Sequence, residues 1–306
     1  MKFNSSLTRL LTAMVIMASL LVVSCKKEGS STGTPAEREE FATAASESDA
    51  EAEIVFDDVF DNVMGVNNEV AIGGTGVFGS ANNSTGSGEY INGANQLDTN
   101  VCFTVSFTQL SPPNRFPLQV TLDFGTGCTD RHGVTRKGKI IITYTGPLYL
   151  PGNSATTTFE GYYVNGIHVE GTHKITNQST QDKKVYKILV TGAKLTKPNG
   201  NFSQWNSERV LSQVEGVATP FNPFDDIFTL SGGASGSVKR GDKFFQWATH
   251  IKEPLVKKFF CRWIVKGVIE LRKSNNTVAS LDYGTGQCDN KALLTVNGQT
   301  IEITLH

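Results

Sequence analysis

Apolar residues recur along this chain with two different periods. Near the start, Val55, Val59 and Val63 fall at helical spacing with Phe56, Phe60 and Met64, while Asp57, Asp58 and Asp61 lie away from the centre of that face. Just ahead, "SDAE" has the S-x-x-E form of a capping box, with Glu51 three residues after Ser48. The pattern predicts an amphipathic helix over 48–66. From residue 67 onward the period is two. In "TTTFEGYYVNGIHVEGTHKIT", Ile167, Val169, Gly171, His173 and Ile175 share one face, and His168, Glu170, Thr172 and Lys174 the other. Asn165-Gly166 suits the two positive φ angles of a type I′ turn, so the flanks fold back as a hairpin. Segments 139–145, 185–196, 203–214, 243–251 and 258–272 read as further strands, the last with Cys261, Trp263, Val265, Ile269 and Leu271 on one face. The expected fold over 67–306 is all-β, an antiparallel β-sandwich or barrel-like domain preceded by one amphipathic helix.

A phrase occurs twice. Residues 122–130 read "LDFGTGCTD" and residues 281–289 "LDYGTGQCD". An offset of 159 also superposes Cys102 on Cys261, and one inserted residue, Gln287, lets Cys128 match Cys288. This reads as an internal duplication of 102–145 in 261–304. The glycines suit a structural corner whose backbone Asp123 or Thr126 can hydrogen-bond. A calcium loop through Asp123, Asp130 or Asp282 is the weaker reading, because the second copy offers few oxygens. Four cysteines besides Cys25 permit three pairings, and the one that repeats in both copies is Cys102–Cys128 with Cys261–Cys288.

The first 24 residues carry Lys2 and Arg9 ahead of an apolar run from Leu10 to Val23, too short to span a bilayer but suited to an export signal peptide. The run ends in "VVSC" at 22–25, which resembles the lipobox of bacterial lipoproteins; the leader and the polar stretch after it resemble envelope lipoproteins of the Bacteroidota type. That resemblance implies cleavage before Cys25, lipidation (palmitate and related acyl chains) of that cysteine, and attachment to the outer membrane of the cell envelope. Lys26 and Lys27 stand where surface-exported members carry an acidic run, so the periplasmic and surface leaflets both stay open. Residues 25–47 read as the lipidated cysteine and a flexible tether. Charge is divided unevenly: residues 26–61 hold 3 bases and 11 acids, and residues 62–306 hold 23 bases and 18 acids. An acidic neck of this kind is expected to be a solvated tether, and the small basic excess of the body, dispersed along it, does not favour a nucleic-acid partner.

Chemistry-bearing motifs are sparse. Gly74, Gly76 and Gly79 spell G-x-G-x-x-G, but "SANNSTGSGEY" after them is loop and not the helix a dinucleotide needs. No nucleophile elbow, phosphate loop, zinc-binding helix or C-x-x-C occurs, the five histidines are dispersed, and neither a cofactor nor a metal site is expected. Trp205 and Trp247 sit among polar neighbours and are the candidate ligand contacts. The expected function is therefore non-catalytic: a membrane-anchored binding or structural module whose partner is an envelope protein or a glycan. A glycan-binding surface lipoprotein, an extracytoplasmic hydrolase and a lipid carrier are the alternatives.

Overall fold

The computed structural model describes residues 34–64, 103–130, 133–219, 223–274 and 276–305. Cys25, Cys102, His132, His306 and the glycines at 74, 76 and 79 lie outside them. Residues Glu39–His306 form one compact unit, separate from the segment up to Arg38. One helix, α1 (Pro35–Met64), is followed among the described residues by β1 (Thr104–Ser111), β2 (Asn114–Asp123), β3 (Cys128–Thr129), β4 (Thr135–Tyr144), β5 (Ser154–Val164), β6 (Ile167–Asn177) and β7 (Val185–Thr196). Then come β8 (Phe202–Glu215), β9 (Ile227–Arg240), β10 (Lys243–Lys258), β11 (Lys266–Lys273), β12 (Asn276–Thr285), β13 (Lys291–Val296) and β14 (Gln299–Thr304). All fourteen strands join one antiparallel sheet, and apart from β3, which pairs with β4 alone, each lies beside its sequence neighbours. The all-β, barrel-like expectation holds.

The helix differs from its sequence reading in length and in place. It begins at Pro35, and residues 35–47, expected as tether, are helical. The cap is Thr34, not Ser48: the Glu37 amide donates to Thr34 Oγ1 at 3.2 Å, and the Thr34 amide donates to Glu37 Oε2 at 2.7 Å. Both "TPAE" and "SDAE" match the capping-box pattern, but only the first carries proline at the first helical position, where a missing N–H costs nothing. Ser48 lies in the helix interior.

Within the compact unit, α1 is buried on all sides rather than along one stripe. Phe41, Ala45, Ala52, Phe56, Val59 and Val63 are buried, and so are Ser48, Asp49, Glu53 and Asn62 on other faces. The sheet curls around it. Phe56 alone stacks on Trp205 of β8 (centroids 5.5 Å apart) and His173 of β6 (6.1 Å), and meets Phe159 of β5 edge-on (6.2 Å). Further along, the Tyr144 hydroxyl of β4 donates to the Val63 carbonyl at 2.7 Å, taking up one of the carbonyls a helix end leaves without an internal partner. Inward strand positions supply the apolar lining and outward ones are polar, as in β8, where Trp205 and Arg209 are buried while Gln204, Asn206 and Glu208 are exposed.

Asn165 (φ 48°) and Gly166 (φ 80°) form the expected turn between β5 and β6, and Asn297-Gly298 repeats it between β13 and β14. The strand expected over 258–272 is interrupted: β10 ends at Lys258, and β11 starts only at Lys266. Cys261 in the intervening turn is bonded to Cys288. Cys128 is disulfide-bonded as well; its expected partner Cys102 is outside the described residues.

The repeated phrase makes the same local bond in both places, at a corner after β2 in the first copy and at a bulged stretch inside β12 in the second. Asp123 Oδ1 accepts the Gly125 amide at 2.8 Å, and Asp282 Oδ1 accepts the Gly284 amide at 2.8 Å. Gly125 (φ 56°) and Gly284 (φ 89°) then take left-handed angles that side chains resist. Beyond the corner the two copies diverge. Leu122 pairs with Val105, but its counterpart Leu281 pairs with Ile269 and not with Ile264, the counterpart of Val105. Gly138 lies inside β4, whereas Gly298 closes a hairpin. The two copies therefore share a local hydrogen bond and not a strand-pairing register.

Candidate functional site

Two acidic stripes run along α1. Glu40, Glu47, Glu51 and Asp58 are spaced seven, four and seven residues apart, and Asp49, Glu53 and Asp57 four and four, so each set lines up along the helix axis. Six of these carboxylates meet a cation of the sheet or its turns. Glu40 pairs with Lys243, Glu47 with Arg240, Glu51 with Lys197, Glu53 with Arg209, Asp57 with Lys257 and Asp58 with Arg136. The acidic neck is thus not a solvated tether over these residues; it supplies the counter-charges of the basic body.

Burial sorts the pairs. Glu40–Lys243 and Glu47–Arg240 are at the exposed end, where a pair contributes little. Arg209 Nη2 donates to Glu53 Oε2 at 2.9 Å deep inside, with the arginine side chain 2% exposed. Lys257 is similarly enclosed; burial opposes its charge, but Asp57 and Asp61 outweigh that and raise its pKa. Arg136 reaches both Asp58 and Asp130, and the latter contact is 2.7 Å. Burying a salt bridge adds little net stability, because desolvation offsets the attraction, but leaving one partner alone is expensive. The buried pairs therefore fix the rotation and register of α1, which apolar contacts alone would leave free to slip by a turn.

Asp49 has no full ion pair. Its carboxylate accepts the Trp205 indole N–H at 2.8 Å, and burial, only partly offset by Arg209, pushes its pKa up to about 6. His173 is completely enclosed, neither ring nitrogen has a protein partner, and burial pulls its pKa down to about 3, so the ring is neutral.

Both tryptophans expected as ligand contacts belong to the core instead. Trp205 is 2% and Trp247 4% exposed. They flank Gly236, which pairs with Trp205 on one side and Trp247 on the other. A Cβ at Gly236 would come within 2.7 Å of the Trp247 ring, so the glycine makes room for that indole to lie inside. Neither ring offers a face to a sugar. The polar residues around them in sequence are the outward positions of the same strands, which gave a misleading impression of exposure.

Among the described histidines, His168 is partly exposed, His173 enclosed and His250 exposed, and no group of three or more metal-ligating side chains occurs among the described residues. Asp123 and Asp282 hold the Gly125 and Gly284 amides, and Asp130 holds Arg136 and the Val134 amide.

A recess of about 160 Å³ lies where α1 passes the β7–β8 turn, the end of β9 and the end of β14. Glu47, Ser48 and Glu51 of the helix line it together with Lys197, Asn201, Lys239, Arg240 and Thr304. Sequence reading missed this site, because its walls come from four separated segments. The chain matches no known protein family, no curated protein and no solved structure.

Proposed function

We propose that the protein is an extracytoplasmic lipoprotein of the bacterial envelope, held to a membrane through lipidated Cys25 and acting as a non-catalytic binding or structural module. The observation that carries this reading is the disulfide chemistry. Cys261–Cys288 ties the β10–β11 connection to the β12–β13 connection, and Cys128 is bonded as well, which fits a compartment where thiols oxidise. Six carboxylates of α1 are held in fixed ion pairs with the sheet and its turns, a structural use of charge that suits a binding or structural module.

Two alternatives lose ground on the same facts. A lipid carrier needs an apolar lumen, and α1 occupies that volume. A strand-crossed membrane barrel needs an apolar outer face, whereas outward residues such as Gln204, Asn206 and Glu208 are polar and exposed. Among the described residues no helix is long and apolar enough to cross a membrane; in the proposed reading the lipid on Cys25 supplies the attachment.

The test is metabolic labelling of the full chain with radioactive palmitate in a lipoprotein-processing bacterium, followed by membrane flotation. Label in the wild type that is absent from Cys25→Ser, with release of that variant from membranes, supports the reading. Equal membrane association of an unlabelled wild type overturns it.

A further inference from the structure

We propose that the C-terminal half of α1 is a proton-operated latch: the helix grips the sheet while protons neutralise its enclosed acidic stripe, and its last turns let go when those protons leave. This goes beyond the binding reading and is independent of lipid anchoring. Asp49, Glu53, Asp57 and Asp61 recur every four residues, so they stand one above another on a single face, about 6 Å apart along the axis. Four carboxylates meet two cations there. Arg209 of β8 holds Glu53 at 2.9 Å, and Lys257 of β10 holds Asp57 at 2.5 Å. Asp49 accepts the Trp205 indole N–H but has no cation of its own, and Asp61 Oδ1 is sealed from solvent with no protein partner. Fully ionised, the stripe would carry two uncompensated negative charges in the interior, where an unpaired charge is strongly unfavourable. Two bound protons bring it to neutrality.

The elements packed around the stripe leave this imbalance in place. Beside Asp49 lie Thr249 of β10 and the Tyr283 hydroxyl of β12, and burial together with the charges of Asp49 and Glu53 holds that phenol neutral. His173 of β6 is uncharged. Next to Asp61 stands Asp58, which shares Arg136 of β4 with Asp130, close to Tyr162 of β5. Burial pushes the Asp49 carboxyl up to about 6 and the Asp61 carboxyl up to about 7. It raises Asp57 as well, against the pull of Lys257, so Asp57 and Asp61 share one proton beside one lysine. Position in the helix acts in the same direction. Asp57, Asp58 and Asp61 lie near the C-terminal end of α1, whose last turn holds no basic residue, and negative charge there opposes the helix dipole. A carboxyl raised from 3.8 on folding favours the fold in acid and ceases to as pH climbs through 6 to 7, so the latch opens above neutrality.

Hydrogen exchange of the full chain at about pH 6 and about pH 8.5 tests this, with rates expressed against those of the unfolded peptide at each pH. Amides 57–63 should match the protection of β8 and β9 at the lower pH and fall about tenfold or more below them at the higher one. In the double variant Asp49→Asn, Asp61→Asn, whose stripe is neutral without added protons, that fall should vanish. Calorimetric unfolding at about pH 5 in buffers of different ionisation heat counts the protons, and the wild type should release about two more than the double variant. Carbon-13 carboxyl shifts of the folded wild type need no variant, and the Asp49 and Asp61 signals should titrate around 6 and 7. Both carboxyls ionised at about pH 5, a proton difference below about one, or protection of 57–63 that does not change with pH overturns the proposal.

Discussion

Trp205 of β8 donates its indole N–H to Asp49 of α1 across 2.8 Å, although 156 residues separate them in sequence. The bond ties the middle of the sheet to a helix read from sequence as beginning near that point. It also places a titratable group beside a fluorophore, so the interior reports on its own protonation.

With its pKa moved from 3.8 to about 6, Asp49 keeps its proton in the fold at pH values where the unfolded chain has lost it. Its contribution to stability is therefore complete below about pH 4 and is lost as pH rises through 6, a change of about 3 kcal/mol. Urea unfolding of the wild type and Asp49→Asn should diverge in their pH dependence over that window. In a Trp247→Phe, Trp263→Phe background, Trp205 emission should shift with a midpoint near pH 6, and a flat profile would contradict the assignment.

Arg209→Met leaves Glu53 enclosed without its cation and should cost about 3–5 kcal/mol. Replacing both residues, as Arg209→Met with Glu53→Leu, should recover most of that loss, because the penalty lies in the orphaned charge. Chemical denaturation of the two single variants and the double variant closes the cycle. Additive losses would mean that the pair is not coupled.

His173→Phe removes two unpartnered ring nitrogens and keeps an aromatic ring against Phe56. Stability should rise by about 1 kcal/mol or more, since burying an unsatisfied polar group is unfavourable. A fall in the unfolding midpoint would show instead that the imidazole has a partner worth keeping.

Asp123→Ala and Asp282→Ala remove equivalent side-chain-to-amide bonds from the corner after β2 and from the bulged stretch of β12. Each should cost about 1 kcal/mol, and the losses should add, because the two bonds lie in separate parts of the sheet. Markedly unequal costs would show that the bond does not contribute alike in the two settings.

Much of the sheet was legible because it is written locally. Strand β7 spans 185–196, as its alternation implies, and Asn165-Gly166 fixes the β5–β6 hairpin through φ angles that few other dipeptides accept. The corner was legible from a short-range bond between Asp123 and Gly125. The start of α1 was misplaced because two capping patterns compete, and Pro35 is the signal that separates them. The placing of the helix was harder to read. Acids spaced by four and seven residues on two sides of α1 look like solvated faces until cations such as Arg136 and Lys257, far along the chain, are seen to meet them. Trp205 and Trp247 were misjudged for a related reason: on a strand, polar neighbours belong to the opposite face and say nothing about the burial of the residue between them.

Amide hydrogen exchange over residues 39–64 separates a packed central helix from a solvated tether more directly than any substitution. If α1 is the core around which the sheet curls, its amides from Phe41 to Val63 exchange as slowly as those of β8 and β9, through global unfolding. Exchange of this segment on the timescale of an exposed peptide, while the sheet stays protected, would contradict the helix-centred fold and the ion pairs assigned to it.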